Sequence, residues 1–178
     1  MQVAFRRTGE RRYAVDVRRE RYPDLTMDPA PGYQDELPHD LVHFLVERHW
    51  GLRDGIFGQV AGGGNAWTFR LAPSDGRVTR ETRRRARRVR VGNRSGGRDI
   101  ERSELLAQVV HERWHARRPG VGLPARHEAA LAESGATEAE IQAWLDLAEG
   151  FVRDWQATPV GGTVTYEWPW PEAGARRA

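Results

Sequence analysis

Apolar positions along the chain change period several times, and each change marks an element. Val3 and Phe5 lead into Thr8-Gly9-Glu10, after which Tyr13, Val15 and Val17 alternate with Ala14, Asp16 and Arg18. That period of two predicts an N-terminal β-hairpin with one apolar face. Pro23, Pro29 and Pro31 interrupt the next stretch, so Tyr22 to Gly32 reads as a loop delivering the chain to a helix. The helix spans Glu36 to Trp50, with Asp35 as a candidate cap and Pro38 inside its first turn.

A helical turn around Ile56 to Ala61 precedes Gly62-Gly63-Gly64, and Trp67, Phe69 and Leu71 then alternate as a strand. The glycines lack the Gly-Lys-Ser/Thr continuation of a phosphate loop and read as a turn. Residues 77–98 contain ten arginines and no apolar face, which predicts a solvated helix or connector. A further helix, capped by Asp99 or Ser103, ends before Pro119, and a short one runs from Pro124 to Glu133. Thr137 and Glu140 form a capping-box pattern for the longest helix, with Ile141, Trp144, Leu145, Ala148, Val152 and Trp155 on its core side. Val164, Tyr166 and Trp168 predict a last strand pairing with the hairpin, and the tail 172–178 reads as frayed. The pattern as a whole predicts an α+β fold: a mainly helical single domain over 1–178, with a small antiparallel sheet formed by the N-terminal hairpin and a C-terminal strand.

Composition narrows the chemistry. Hydrophobic residues at 39% with seven Trp indicate a folded chain, and no run approaches the roughly 20 apolar residues of a membrane span. The expected location is cytoplasmic. Without cysteine there are no disulfides, thiolate ligands or cysteine nucleophiles. All 28 basic residues are Arg, which excludes Schiff-base lysine chemistry. An all-arginine basic set fits a GC-rich, bacterial coding sequence.

Two histidine pairs stand out. Six histidines placed at random would give roughly 0.2 pairs at a spacing of four, whereas the chain has two. That spacing puts both imidazoles on one helical face, close enough to share a metal ion. His111-Glu112-Arg113-Trp114-His115 matches the His-Glu-x-x-His zinc pattern of metallopeptidases, in which the Glu polarises water. On a helical wheel, however, His111 and His115 fall among Glu104, Gln108 and Arg118, a solvent face. Arg113 and Arg117 stand where those enzymes carry uncharged and hydrophobic residues, so this pair is the second choice.

The first pair, His39 and His43, lies on a helix whose circumference is almost wholly apolar. Its polar stripe holds Glu36, His39, Asp40, His43 and Glu47, and is either a wet edge or the wall of a cleft. In a cleft, His39, Asp40 and His43 are the candidate metal ligands and Glu47 the candidate catalytic base or further ligand, for zinc or iron acting on a small-molecule substrate. His-Asp-Leu-Val-His followed by Gly58-Gln59-Val60-Ala61 resembles, over about 25 residues, the metal segment of the ubiquinone-biosynthesis accessory protein family. The resemblance implies zinc or iron on His39, Asp40 and His43, near a quinone-like ring. Gln59 stands where that family has Glu, so Glu47 or Asp54 would complete the set.

Two other functions fit other segments. The arginines of 77–98 could neutralise nucleic-acid phosphates, although no aromatic residue accompanies them to stack on bases. Trp168-Pro169-Trp170-Pro171 could form a protein-interaction surface.

Overall fold

The computed structural model describes residues 1–34, 36–72, 84 and 97–172. It is an α+β fold. Strands β1 (Gln2–Gly9), β2 (Arg12–Arg18), β3 (Leu25–Met27), β4 (Arg70–Leu71) and β5 (Thr163–Glu167) form one antiparallel sheet in the order β4-β3-β2-β1-β5. The described helices are α1 (His39–Trp50), α2 (Ile56–Ala61), α3 (Arg98–Ala116), α4 (His127–Ser134) and α5 (Glu138–Ala157).

Alternation in the hairpin decides which face is covered. Val3 and Phe5 of β1 and Tyr13, Val15 and Val17 of β2 are buried under the helices. On the other face Arg6 pairs with Asp16 and Asp28, and Thr26 donates to Asp16. The C-terminal strand joins the hairpin as expected, with Val3 opposite Tyr166 and Phe5 opposite Val164. Above the sheet, Phe44 of α1 and Phe57 of α2 meet edge to face at 5.3 Å, and Phe5 lies within 6.5 Å of both. Trp155 of α5 packs edge-on against Tyr13.

Helix α1 is the centre of this layer. Leu41, Phe44, Leu45 and Val46 have no exposed surface, and each buried side chain of this size contributes roughly 1.5–3 kcal/mol. Its polar stripe is not a wet edge, because Asp40, His43 and Glu47 are buried as well. Helix α3 packs against α1, and its Leu106, Val109 and Val110 are fully buried. In α5 the capping box of Thr137 and Glu140 is present, and all six expected core positions are buried.

Several boundaries differ from the sequence reading. Helix α1 starts at His39 with Pro38 at its N-cap, because Pro38 has an extended backbone (ψ 140°). The proposed Asp35 cap lies outside the described residues. The proline-rich loop contains β3, a three-residue strand between Pro23 and Pro29 rather than across them. Only Arg70 and Leu71 of the strand expected from Trp67 are extended, since Ala66 and Trp67 turn through positive φ (43° and 58°). Ser103 lies inside α3 rather than capping it. Glu172 does not fray: its buried carboxylate accepts the Glu20 and Arg21 backbone N–H groups at 2.9 Å. Most of the arginine-rich stretch 77–98 and residues 173–178 lie outside the described residues. No described helix is long and apolar enough to cross a membrane.

Replacing a buried leucine tests the central place of α1. Leu45→Ala is expected to cost about 2–5 kcal/mol, read as a lower urea midpoint with an unchanged denaturant slope.

Candidate functional site: a histidine-lined groove between two helices

Helices α1 and α3 run antiparallel, because His43 contacts Ser103 while Glu36, just before α1, contacts Trp114 and Arg118 near the end of α3. The register brings both histidine pairs to one seam. His39, Val42, Glu104, Ala107 and His111 line a groove of about 310 Å³. His111 and His115 also line an adjoining cleft of about 240 Å³ with Glu36, Leu37, Trp114 and Trp144. Along the seam the order is Glu104, His43, His39, His111, His115, Glu36.

The imidazole geometry within each pair is informative. His39 Nε2 and His43 Nε2 are 3.2 Å apart, with ring centroids 4.7 Å apart. The second pair has Nε2 atoms 2.7 Å apart and centroids 4.2 Å apart. A linear N–H···N bond of the second length would hold the centroids roughly 5 Å apart, and one of the first length roughly 5.5 Å. Both pairs are shorter, so each contact is bent rather than linear. Two imidazoles bound about 2.1 Å from one tetrahedral ion would have nitrogens roughly 3.0–3.4 Å apart and centroids roughly 5 Å apart, a spacing that the first pair approaches and the second is too close to meet.

His43 is fixed from behind. Its Nδ1 lies 3.0 Å from Ser103 Oγ, and Ser103 donates to Glu47 Oε1 at 3.2 Å. Glu47 also accepts from the backbone N–H groups of Ile56 (2.6 Å), Phe57 (2.9 Å) and Gly58 (3.4 Å). Burial pushes the Glu47 carboxyl up to about 8, against these four donors, which hold its charged form. When Glu47 is ionised and Ser103 donates to it, Ser103 Oγ accepts from His43 Nδ1–H, which leaves the lone pair on Nε2, directed toward His39 and Glu104. Burial and the neighbouring His39 push His43 down to about 3, so the ring is neutral at ordinary pH.

Glycines make this packing possible. A Cβ on Gly55 would lie 2.5 and 2.7 Å from the Glu47 oxygens, and one on Gly32, where φ is +72°, would lie 2.8 Å from His39 Cβ.

The structure sorts the candidate residues. His39 lines the groove, and His43, only 1% exposed, lies behind it with Nε2 3.2 Å from His39 Nε2. Asp40 is turned to the sheet, with Oδ2 2.5 Å from the Tyr13 hydroxyl. Glu47 lies behind His43 and orients it through Ser103, with no exposed surface from which to act on a substrate. Glu112, the would-be catalytic residue of His-Glu-x-x-His, is bound to His127 Nδ1 and Arg126 at 2.9 Å and turned away from its histidines. Those histidines are half-buried in the cleft rather than on an open solvent face. Gln59 is buried and donates to the Asp54 carbonyl, and Trp168 is buried in the aromatic core rather than displayed. Sequence reasoning missed Ser103 and Glu104, whose Oε2 is 3.7 Å from His43 Nε2. Among the described residues no three His, Asp or Glu side chains are already grouped to hold a metal ion; each pair supplies two nitrogens.

Compared with family models, with curated proteins and with solved structures, the chain matches none of them.

Two measurements probe the support behind His43. Glu47→Ala leaves three backbone N–H groups and a serine hydroxyl without their acceptor, and is expected to cost about 3 kcal/mol or more, seen as a lower melting temperature. A pH series in chelator tests the neutral imidazole. Because His43 has a folded pKa below its ordinary 6.5, its contribution is full above that value and is lost as pH falls toward 3, at up to roughly 1.4 kcal/mol per pH unit. His43→Gln is expected to flatten this part of the acid limb; an identical limb in the variant would show that His43 is not buried neutral.

Proposed function

We propose that this chain is a metal-binding protein that takes a divalent transition metal in the α1/α3 groove through Nε2 of His39 and His43. The observation that carries this reading is the 3.2 Å approach of the two Nε2 atoms beside Glu104, with Ser103 and Glu47 behind the other ring nitrogen of His43. Neutral imidazole is the ligand form for zinc and iron, and a hydrogen-bonded partner on the other ring nitrogen is the usual support of a ligating histidine. Glu104 supplies the carboxylate. Its side chain is 60% exposed, so it can turn from 3.7 Å toward the ion without disturbing the core.

Two nitrogens and one carboxylate leave a position open to water or to an oxygen-bearing small molecule, which the ion would polarise as a Lewis acid. Asp40 and Glu47 are not ligands in this reading: Asp40 is committed to Tyr13, and Glu47 acts through Ser103.

Metal analysis and Co²⁺ titration of the purified protein test the proposal. Wild type is expected to bind the ion and to show Co²⁺ absorption bands. His39→Ala/His43→Ala should abolish the signal from this site, and Ser103→Ala should weaken it by about 10–100-fold. No bound metal in the wild type, or a signal unchanged in the double variant, would overturn the reading.

A further inference from the structure

We propose that the cleft of about 240 Å³ beside the α1/α3 groove binds a small aromatic monocarboxylate through Arg11, the indole N–H of Trp144 and its aromatic walls. The inference does not depend on a metal ion, since His39 and His43 lie outside the lining of this cleft.

Five segments build the cleft. Arg11 comes from the hairpin turn, Tyr33 from the loop before α1, Val42 from α1, Trp114 from α3 and Trp144 from α5. Leu37 and Val42 add aliphatic surface to the three aromatic rings, and such rings take an aromatic ligand offset-stacked or edge-on. The volume is small beside the roughly 300–1,000 Å³ of pockets for drug-sized ligands. One ring with a short arm is therefore the size that fits.

Two polar features select the ligand. Trp144 is 1% exposed, and its indole N–H has no acceptor among the described residues. A buried indole N–H ordinarily finds a partner, and of the described indoles that lack one Trp144 alone lines this cleft. A ligand oxygen would supply the acceptor. The second feature is charge. Glu36 also lines the cleft, but its oxygens accept from the Trp114 indole and the Arg118 guanidinium, so its charge is already met. Burial and the neighbouring His115 push His111 down, so its ring adds no charge at ordinary pH. Arg11 is different: its guanidinium lies 5.6 Å from the Tyr33 ring and pairs with no carboxylate among the described residues. One uncompensated guanidinium matches one carboxylate, which it can bind through two parallel hydrogen bonds. A phosphate dianion fits less well, because its second charge would meet Glu36 without a cation of its own.

Ligand-observed NMR with benzoate, on the full chain dialysed free of metal, tests the proposal. Benzoate is expected to bind. Benzyl alcohol, which keeps the ring without the charge, and acetate, which keeps the charge without the ring, should each bind about tenfold more weakly or worse. Arg11→Met, a change at an exposed position, should weaken benzoate by about tenfold or more. Trp144→Phe keeps an aromatic ring without the N–H and should also weaken it, with circular dichroism confirming the fold. The folded His39→Ala/His43→Ala variant should bind benzoate as the wild type does. No benzoate binding, equal binding in Arg11→Met, displacement by inorganic phosphate at equal concentration, or loss in the folded His39→Ala/His43→Ala variant would each overturn the proposal. Co²⁺ binding at His39 and His43 is read separately, so either reading can fail while the other stands.

Discussion

A carboxylate without access to water must find donors within the protein, and Glu47 is such a carboxylate at the centre of the molecule. It lies on a helix apolar on nearly every side, which can persist only if surrounded. Its donors come from two places. The first is the start of α2, whose backbone N–H groups point at both oxygens, and the close approach needs the missing side chain of Gly55. This contact holds the turn after α1, and with it Phe57 against Phe44 in the core. The second is Ser103, which ties the register of α3 to that of α1. A slip of α3 by one turn would remove a hydroxyl from Glu47 and a partner from His43 together.

The functional geometry follows from that register. With Ser103 opposite His43, the antiparallel pairing sets His111 near His39 and His115 near Glu36. Two pairs separated by 68 positions or more along the chain thus lie along one helix seam, where His39 and His111 line the same groove. Their conjunction is a consequence of how α1 satisfies its buried polar groups.

Much of the fold is legible in the sequence, because it depends on local period and local caps. The alternation of Val3, Phe5, Tyr13, Val15 and Val17, the capping box of α5 and the helical spacing from Ile141 to Trp155 all appear as read. The C-terminal strand also pairs as expected. What failed locally failed for stated reasons: β3 is too short for its period to stand out between prolines, and the Trp67 segment turns through positive φ before it can extend. The site was legible only in part. A spacing of four identifies each histidine pair, yet nothing local shows that Asp40 faces Tyr13, that Glu47 faces a helix start, or that Ser103 sits inside its helix between His43 and Glu47. Those facts are set by partners 9–60 residues distant along the chain, and a helical wheel records a residue's direction without recording what stands there.

The protonation state of the groove bears on what it can hold. Neutral imidazoles at close range resist protonation, since the first proton added raises the cost of the next and burial opposes both. His43 is pushed down to about 3, and His111 is lowered by burial and then by His115 and His39. A histidine cluster kept for proton transfer would need a pKa near the working pH, and His43 is far from it. A metal ligand needs the opposite, a ring already deprotonated so that binding does not compete with a proton. The Glu104 carboxylate supplies negative charge where a divalent cation would offset it. The arrangement that depresses these imidazoles is therefore also the one that leaves their lone pairs unprotonated at ordinary pH.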